Sequence, residues 1–187
     1  MNARLLMILV TVVMIAAGSG SCKRHEDSVD ENVSVPSGDP PFTQMSDSWV
    51  IDNVGVMDKA TLAECSRICQ HLQDAGVAEM VVLIQNGVKH PADYATHYGR
   101  WLKLGKRGLS SEGGNNGVVW LMRPDANEKM TYSIGRGLPR LTSGHMVDVM
   151  NKAKEYLNFN NYDNGVSVIV EETSKELFEL YGKRGEK

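Results

Sequence analysis

The alternation of apolar and polar positions is most legible between residues 112 and 139. Glu112 and the loop Gly113-Gly114-Asn115-Asn116-Gly117 open onto an unbroken apolar run, Val118-Val119-Trp120-Leu121-Met122. A β-branched and aromatic run of that length, bounded by turn residues, predicts a strand buried on both faces. Arg123-Pro124-Asp125-Ala126-Asn127 supplies turn chemistry, because proline presets φ and Asp and Asn bond their own backbone. Met130, Tyr132 and Ile134 then alternate with Lys129, Thr131 and Ser133, which is the period of a half-buried strand. The result is a central antiparallel hairpin closed by Gly135-Arg136-Gly137. Antiparallel pairing puts the loop before the first strand and the loop after the second at one end of the sheet.

The flanking pattern supplies the other elements. Trp49-Val50-Ile51-Asp52-Asn53-Val54 predicts a short strand running into a turn. Asp58 is placed to cap a helix from Lys59 to about Ala75, ended by Gly76. Leu62, Cys65, Ile68, Cys69 and Leu72 recur at three- and four-residue spacing and form its apolar face. Glu79 to Ile84 predicts a second buried strand. Pro91 suits the first position of a second helix, whose face is Tyr94, Ala95, Tyr98, Trp101 and Leu102. Thr142 or Ser143 caps a third helix carrying Met146, Val147, Met150, Ala153 and Leu157. A last helix follows Asp163-Asn164-Gly165 and carries Val168, Ile169, Glu172, Leu177 and Leu180. The order β-α-β-α-β-β-α-α predicts an α/β fold: a mixed sheet with helices on both faces, an α/β/α sandwich around the central hairpin. Right-handed crossovers leave the first two helices on opposite faces or side by side, according to strand order.

The amino terminus has the grammar of export. Arg4 precedes a mostly apolar run from Leu5 to Ala17, shorter than the roughly 17–25 residues a membrane-spanning helix needs. Gly18-Ser19-Gly20-Ser21 then supplies small residues for cleavage. Cys22 directly after them resembles the lipidated cysteine of bacterial lipoproteins, although Ser19 stands where leucine is usual; an ordinary secretory signal is the alternative. Residues 23–46 are polar, rich in proline, and show no sustained period. They predict a tether without fixed structure, spanning roughly 25–30 Å as a coil. The other reading is an arm packed on the domain through Val33, Val35 and Phe42. The expected organisation is a signal peptide over 1–21, a lipoprotein tether over 22–46, an α/β domain over 47–181 and a tail over 182–187. The expected location is the bacterial cell envelope, with the lipid anchor making the membrane a partner.

Composition removes several functions. The chain of 187 residues carries a net charge of −3 and 6% aromatic residues, so it offers neither a basic field nor a stacking surface for nucleic acid. Cys65 and Cys69 sit four apart, a spacing open to metal binding, but they share an apolar face with Leu62 and Leu72 and no second Cys/His pair follows. They read as core. His71, His90, His97 and His145 share no spacing and read as solvated. No GxSxG elbow, HExxH helix or Walker loop is present.

Taken together, several short motifs resemble the TPM domain of bacterial envelope and thylakoid lumen proteins. Val50-Ile51-Asp52 with Gly55-Val56-Met57-Asp58 opens the resemblance, and Tyr94-Ala95 and Trp101-x-x-Leu104-Gly105 continue it. Asn116-Gly117-Val118-Val119 is similar to that family's D-N-G-V-L-L loop and strand. Ile134-Gly135-Arg136-Gly137-Leu138 is similar to its strand-G-x-G-L turn, and Tyr162-Asp163-Asn164-Gly165 to its late Y-D-x-G. The resemblance spans about Trp49 to Leu180.

It implies acid phosphatase activity, binding of calcium or magnesium, and for some members a role in membrane-protein repair or quality control. The chain departs from the pattern where acids are usual, at Asn115, Pro139 and Ser143. Hard divalent cations want several carboxylate oxygens, so the resemblance implies at most a weak calcium or magnesium site on Asp52, Asn116 and Asp163, with Glu112 within reach by a loop movement. Ligand-binding candidates are Asn116, Gly117, Gly135, Arg136, Gly137 and Asp163. Two classes stay open: a non-catalytic binding or quality-control module with an envelope protein partner, and a metal-dependent phosphatase in which Arg136 steadies phosphoryl charge.

Overall fold

The computed structural model of the chain describes residues 29–105 and 115–182. The expected signal peptide, Cys22, the Glu112-Gly113-Gly114 part of the loop and residues 183–187 of the tail lie outside the described residues. The elements are β1 (Val50–Asp52), α1 (Lys59–Asp74), β2 (Glu79–Ile84), α2 (Pro91–Trp101), β3 (Gly117–Met122), β4 (Met130–Ile134), α3 (Ser143–Leu157) and α4 (Tyr162–Tyr181). They form one mixed sheet of order β1-β2-β3-β4, parallel through β3 and antiparallel at β3–β4.

Both faces of the sheet are covered, which is why β2 and β3 are apolar along almost their whole length and fully buried. Successive residues of a strand point to opposite faces. Trp120 donates from Nε1 to the Thr173 hydroxyl of α4 at 3.1 Å, while its neighbour Val119 lies against Gly99 of α2. Helix α4 also packs on α1 and α3. One face therefore carries α1, α3 and α4, and the other carries α2. Because β1, β2 and β3 step across the sheet in one direction, two right-handed crossovers would have left α1 and α2 on the same face. One of the two is left-handed, against the usual preference.

Local signals act as expected in α1. Asp58 accepts the N–H groups of Ala60 and Thr61, both at 2.8 Å, and Cys65, Cys69 and Leu72 are buried. The last two helices depart from expectation. Val147 is 46% exposed and Val149 takes its place in the core, because Met146, Val149, Ala153 and Leu157 form the stripe and residue 147 is rotated about 100° from Met146. Helix α4 begins at Tyr162, one turn earlier than expected. Asn161 caps it by accepting the Asn164 N–H, and Gly165 lies inside the helix, where a Cβ would collide with Leu157. The buried stripe becomes Val166, Ile169, Val170, Thr173 and Leu177, while Glu172 pairs with Lys152 at 2.7 Å.

The expected tether is corrected in part. From Asp30 to Met45 the chain is packed along α2, with Val35, Phe42 and Met45 against the core. The Phe42 ring lies 5.1–5.7 Å from those of Tyr94, Tyr98 and Trp101. Tyr98 donates its hydroxyl to the Thr43 carbonyl at 2.7 Å, and His97, expected to be solvated, meets the Ser34 carbonyl at 3.1 Å. The Asp39 side chain, 0% exposed, accepts the N–H groups of Lys89 and His90 where α2 begins. The physical reason is coverage: α2 is aromatic on more of its surface than the sheet can bury. Single side chains and carbonyls make these contacts, so they leave no periodicity to read.

Candidate functional site

The strand register decides which of the expected site residues meet. Asp52 is aligned with Ile84, and Ile84 with Met122; Glu79 is aligned with Gly117. Asp52 thus sits at the carboxyl end of the parallel strands and Asn116 just beyond their amino end. At about 3.3 Å per residue that separates them by roughly 20 Å. Asp163 stands at the Asp52 end, since its Oδ1 accepts the Asp58 N–H at 2.8 Å. Asn116, Gly117, Gly135, Arg136 and Gly137 gather at the other end. The expected convergence of Asp163 with these loops, and of Asp52, Asn116 and Asp163 on one cation, does not occur. Extended strands cannot bring opposite ends of a sheet together.

At the carboxyl end the carboxylates are occupied by the chain itself. Asp52 accepts Val54 and Gly55 N–H groups on Oδ1, at 3.0 and 2.8 Å, and Met57 N–H on Oδ2 at 2.9 Å. These bonds shape the β1–α1 turn. The Thr61 hydroxyl, with the capped backbone N–H groups, holds the Asp58 carboxyl below its ordinary value. Among the described residues no group of three or more His, Cys, Asp and Glu side chains is arranged to hold a metal ion. The calcium or magnesium trio expected from the resemblance therefore does not fit this structure.

The amino end is built as an interlocked pair of loops. Asn115, in the left-handed region at φ 65°, donates its N–H to Gly105 O at 2.8 Å and accepts Gly137 N–H at 3.0 Å. Gly135 N–H donates to Gly117 O at 2.8 Å. Gly105, at φ 78°, lets the end of the α2 connection press on the backbone of Asn115 and Asn116. Glu79, 3% exposed, accepts the Gly105 N–H at 2.7 Å. Asn116, 1% exposed, donates to Val77 O at 3.1 Å, and its Oδ1 has no partner. It braces the loop from inside rather than facing solvent.

Beside these loops a cleft of about 460 Å³ lies between α2 and the hairpin. Of the expected ligand-binding residues Gly117, Gly135 and Arg136 line it, with Asn115 beside them, and so do Arg100 and Lys103 from the end of α2 and Asp30 from the arm. On its floor the Thr96 and Ser133 hydroxyls meet at 3.1 Å. Sequence reasoning missed Arg100, Lys103, Thr96 and Ser133. Their nearest signal is the Trp101-x-x-Leu104-Gly105 stretch that surrounds Lys103, and it says nothing about which strand ends lie opposite. Asn115, Pro139 and Ser143, the positions at which the resemblance led to the expectation of acids, belong to the loops and the α3 start at this end.

The family model of the TPM domain matches residues 50–176, which takes in every strand and most of α4. The chain belongs to the TPM-domain family. Three solved structures share the fold. The N-terminal domain of a protein from P. gingivalis is 18% identical, with a TM-score of 0.60 over 74% of this chain and 88% of that one. The N-terminal domain of the cg2496 protein from Corynebacterium glutamicum is 13% identical, with a TM-score of 0.55 over 82% and 92%. The BA42 protein from the psychrophilic bacterium Bizionia argentinensis is 16% identical, with a TM-score of 0.51 over 66% and 85%. None of the curated proteins matches this TPM chain.

Proposed function

We propose that this TPM domain is a lipid-anchored, non-catalytic binding module of the bacterial cell envelope, with a role of the quality-control kind toward an envelope protein partner. The partner surface is the amino end of the sheet. The observation that carries the reading is the separation of Asp52 and Asp163 from Asn116, Gly135, Arg136 and Gly137 by the length of the strands. A hydrolase needs its polarising group, its charge stabiliser and its base around one reacting atom. Here Arg136 stands at one end and the two aspartates at the other. The Thr96 and Ser133 hydroxyls in the cleft bond to each other rather than to a base. What remains at the amino end is a backbone joint flanked by a cleft of mixed polar and apolar lining, a surface suited to recognition.

A lipid on Cys22 would be in keeping with the same assignment. With the chain docked on α2 from Asp30, such an anchor would stand eight positions in sequence from the first docked residue. Two measurements test the proposal. The full-length protein should partition into detergent, and Cys22→Ala should release it or leave it unprocessed. A photo-crosslinker at position 136 should capture an envelope protein that one at position 163 does not. Hydrolysis of an aryl phosphate that depends on calcium or magnesium and is lost in Asp163→Ala would replace this reading with the metal-dependent phosphatase.

A further inference from the structure

We infer that the cleft between α2 and the hairpin binds a small organic dicarboxylate, held between the guanidinium groups of Arg100 and Arg136 and the ammonium of Lys103. This deepens the reading of the amino end as a binding surface and rests on it. Three cations, Arg100, Lys103 and Arg136, line one concave site of about 460 Å³ against a single carboxylate, that of Asp30, in a chain whose net charge is −3. Concave walls of low polarisability focus such a field, raising the local concentration of anions. Among the described residues, none of the three cations is engaged in an ion pair. A basic residue in the last turn of a helix also answers the helix dipole, which accounts for Arg100. That effect does not account for Arg136, which comes from the hairpin exit on the opposite wall.

The backbone adds a second indication. Non-glycine residues in the left-handed region cluster at ligand clamps, and Lys103 at φ 51° and Asn115 at φ 65° both line this cleft. The choice of a dicarboxylate over a phosphate follows from the donors. Arginine forks hold phosphate as well as carboxylate, but a single phosphate needs its donors, backbone N–H groups among them, aimed at one point. Here the N–H groups of Gly135 and Gly137 are already given to Gly117 O and Asn115 O. The free donors are side chains on separate walls, α2 and the hairpin, which suits two separated anionic groups; a guanidinium also matches a carboxylate in a two-point fork. Val119, Leu104 and Ile134 supply apolar contact for a short carbon chain between them.

The test is a calorimetric titration of the full-length chain in detergent with glutarate, butyrate, glutaramide and inorganic phosphate. Glutarate should bind with a Kd below about 1 mM, and Arg100→Ala and Arg136→Ala should each weaken it at least about tenfold. Butyrate and phosphate should bind more weakly, and glutaramide not at all. Both arginines are exposed, so their variants should melt like the unmodified protein; Lys175→Ala, on the far helix α4, should bind glutarate normally. No binding of glutarate, equal binding by the arginine variants, an equal loss in Lys175→Ala, or tighter binding of phosphate would each overturn the proposal. Loss of glutarate binding with crosslinking at position 136 intact defeats this inference alone. Glutarate binding without any crosslinked partner defeats the module reading and leaves the site standing.

Discussion

Gly137 donates its N–H to the carbonyl of Asn115 at 3.0 Å, and Gly135 lies so close to that same carbonyl that a Cβ on residue 135 would overlap it. The loop that enters β3 and the loop that leaves β4 are therefore one joint, closed by backbone on both sides. Neither loop can change shape alone.

Gly135→Ala should cost about 2–4 kcal/mol, because the obstacle is backbone and cannot rotate away. Gly76 is the control. It ends α1 at φ 66° with open space around it, so Gly76→Ala should cost only the about 1–2 kcal/mol of a left-handed alanine. Urea unfolding of the two variants checks the ranking, and equal losses would mean that the joint yields.

Asp163 acts as a brace for the start of α1 through its bond to the Asp58 N–H. Asp163→Ala should cost about 1 kcal/mol, and millimolar calcium should leave the melting temperature of both forms unchanged. A ligand at a hundred times its Kd stabilises by roughly 2.7 kcal/mol, which a melting curve resolves. A calcium-dependent rise that Asp163→Ala abolishes would put a metal site at the carboxyl end.

The docked arm gives the domain an alkaline limit. Burial, helped by the charge of Asp39, pushes the Tyr94 hydroxyl up to about 12, and burial carries Tyr98 higher still. Both hydroxyls donate to the arm, to Pro41 O at 3.3 Å and Thr43 O at 2.7 Å. The folded protein keeps these protons where the unfolded chain, titrating near 10, loses them. Their stabilisation is complete below pH 10 and declines as pH rises toward and past 12. Unfolding free energy measured against pH should bend downward above about pH 10. Tyr98→Phe should lose about 1–2 kcal/mol at neutral pH and show a shallower alkaline decline.

Cys65 and Cys69 should ignore thiol reagents until the domain unfolds. Both are free and buried, and desolvation raises both thiols above their ordinary value, so little thiolate forms at pH 8. Cys65→Asp should destabilise by several kcal/mol, since a buried carboxylate without a partner is costly. Rapid labelling of both in the native protein would contradict the packing of α1 on α4.

Some of this was legible one residue at a time. The limits of β2 at Glu79 and Ile84, the Asp58 cap and the apolar face of α1 follow from local rules: run length, capping chemistry and helical period. Where two local signals competed, the tertiary fold chose. Gly165 reads as a turn residue, yet α4 runs through it because Leu157 of α3 needs the space its missing Cβ leaves. The arm shows the same limit from the other side. Nothing periodic in residues 30–45 announces Phe42 against three rings of α2.

The sequence by itself determined the order of elements, the hairpin, the family and the meeting of the Gly117 and Gly135 loops, because each depends on near neighbours or on antiparallel pairing of adjacent strands. Only the tertiary structure decided that Asp52 and Asp163 stand at the opposite end from Asn116 and Arg136, and that Arg100 and Lys103 stand opposite Arg136. The reason is that parallel strands return through crossovers. The end at which a residue emerges, and the face on which each helix lies, are set by strand order and crossover hand, and no short stretch of sequence carries either.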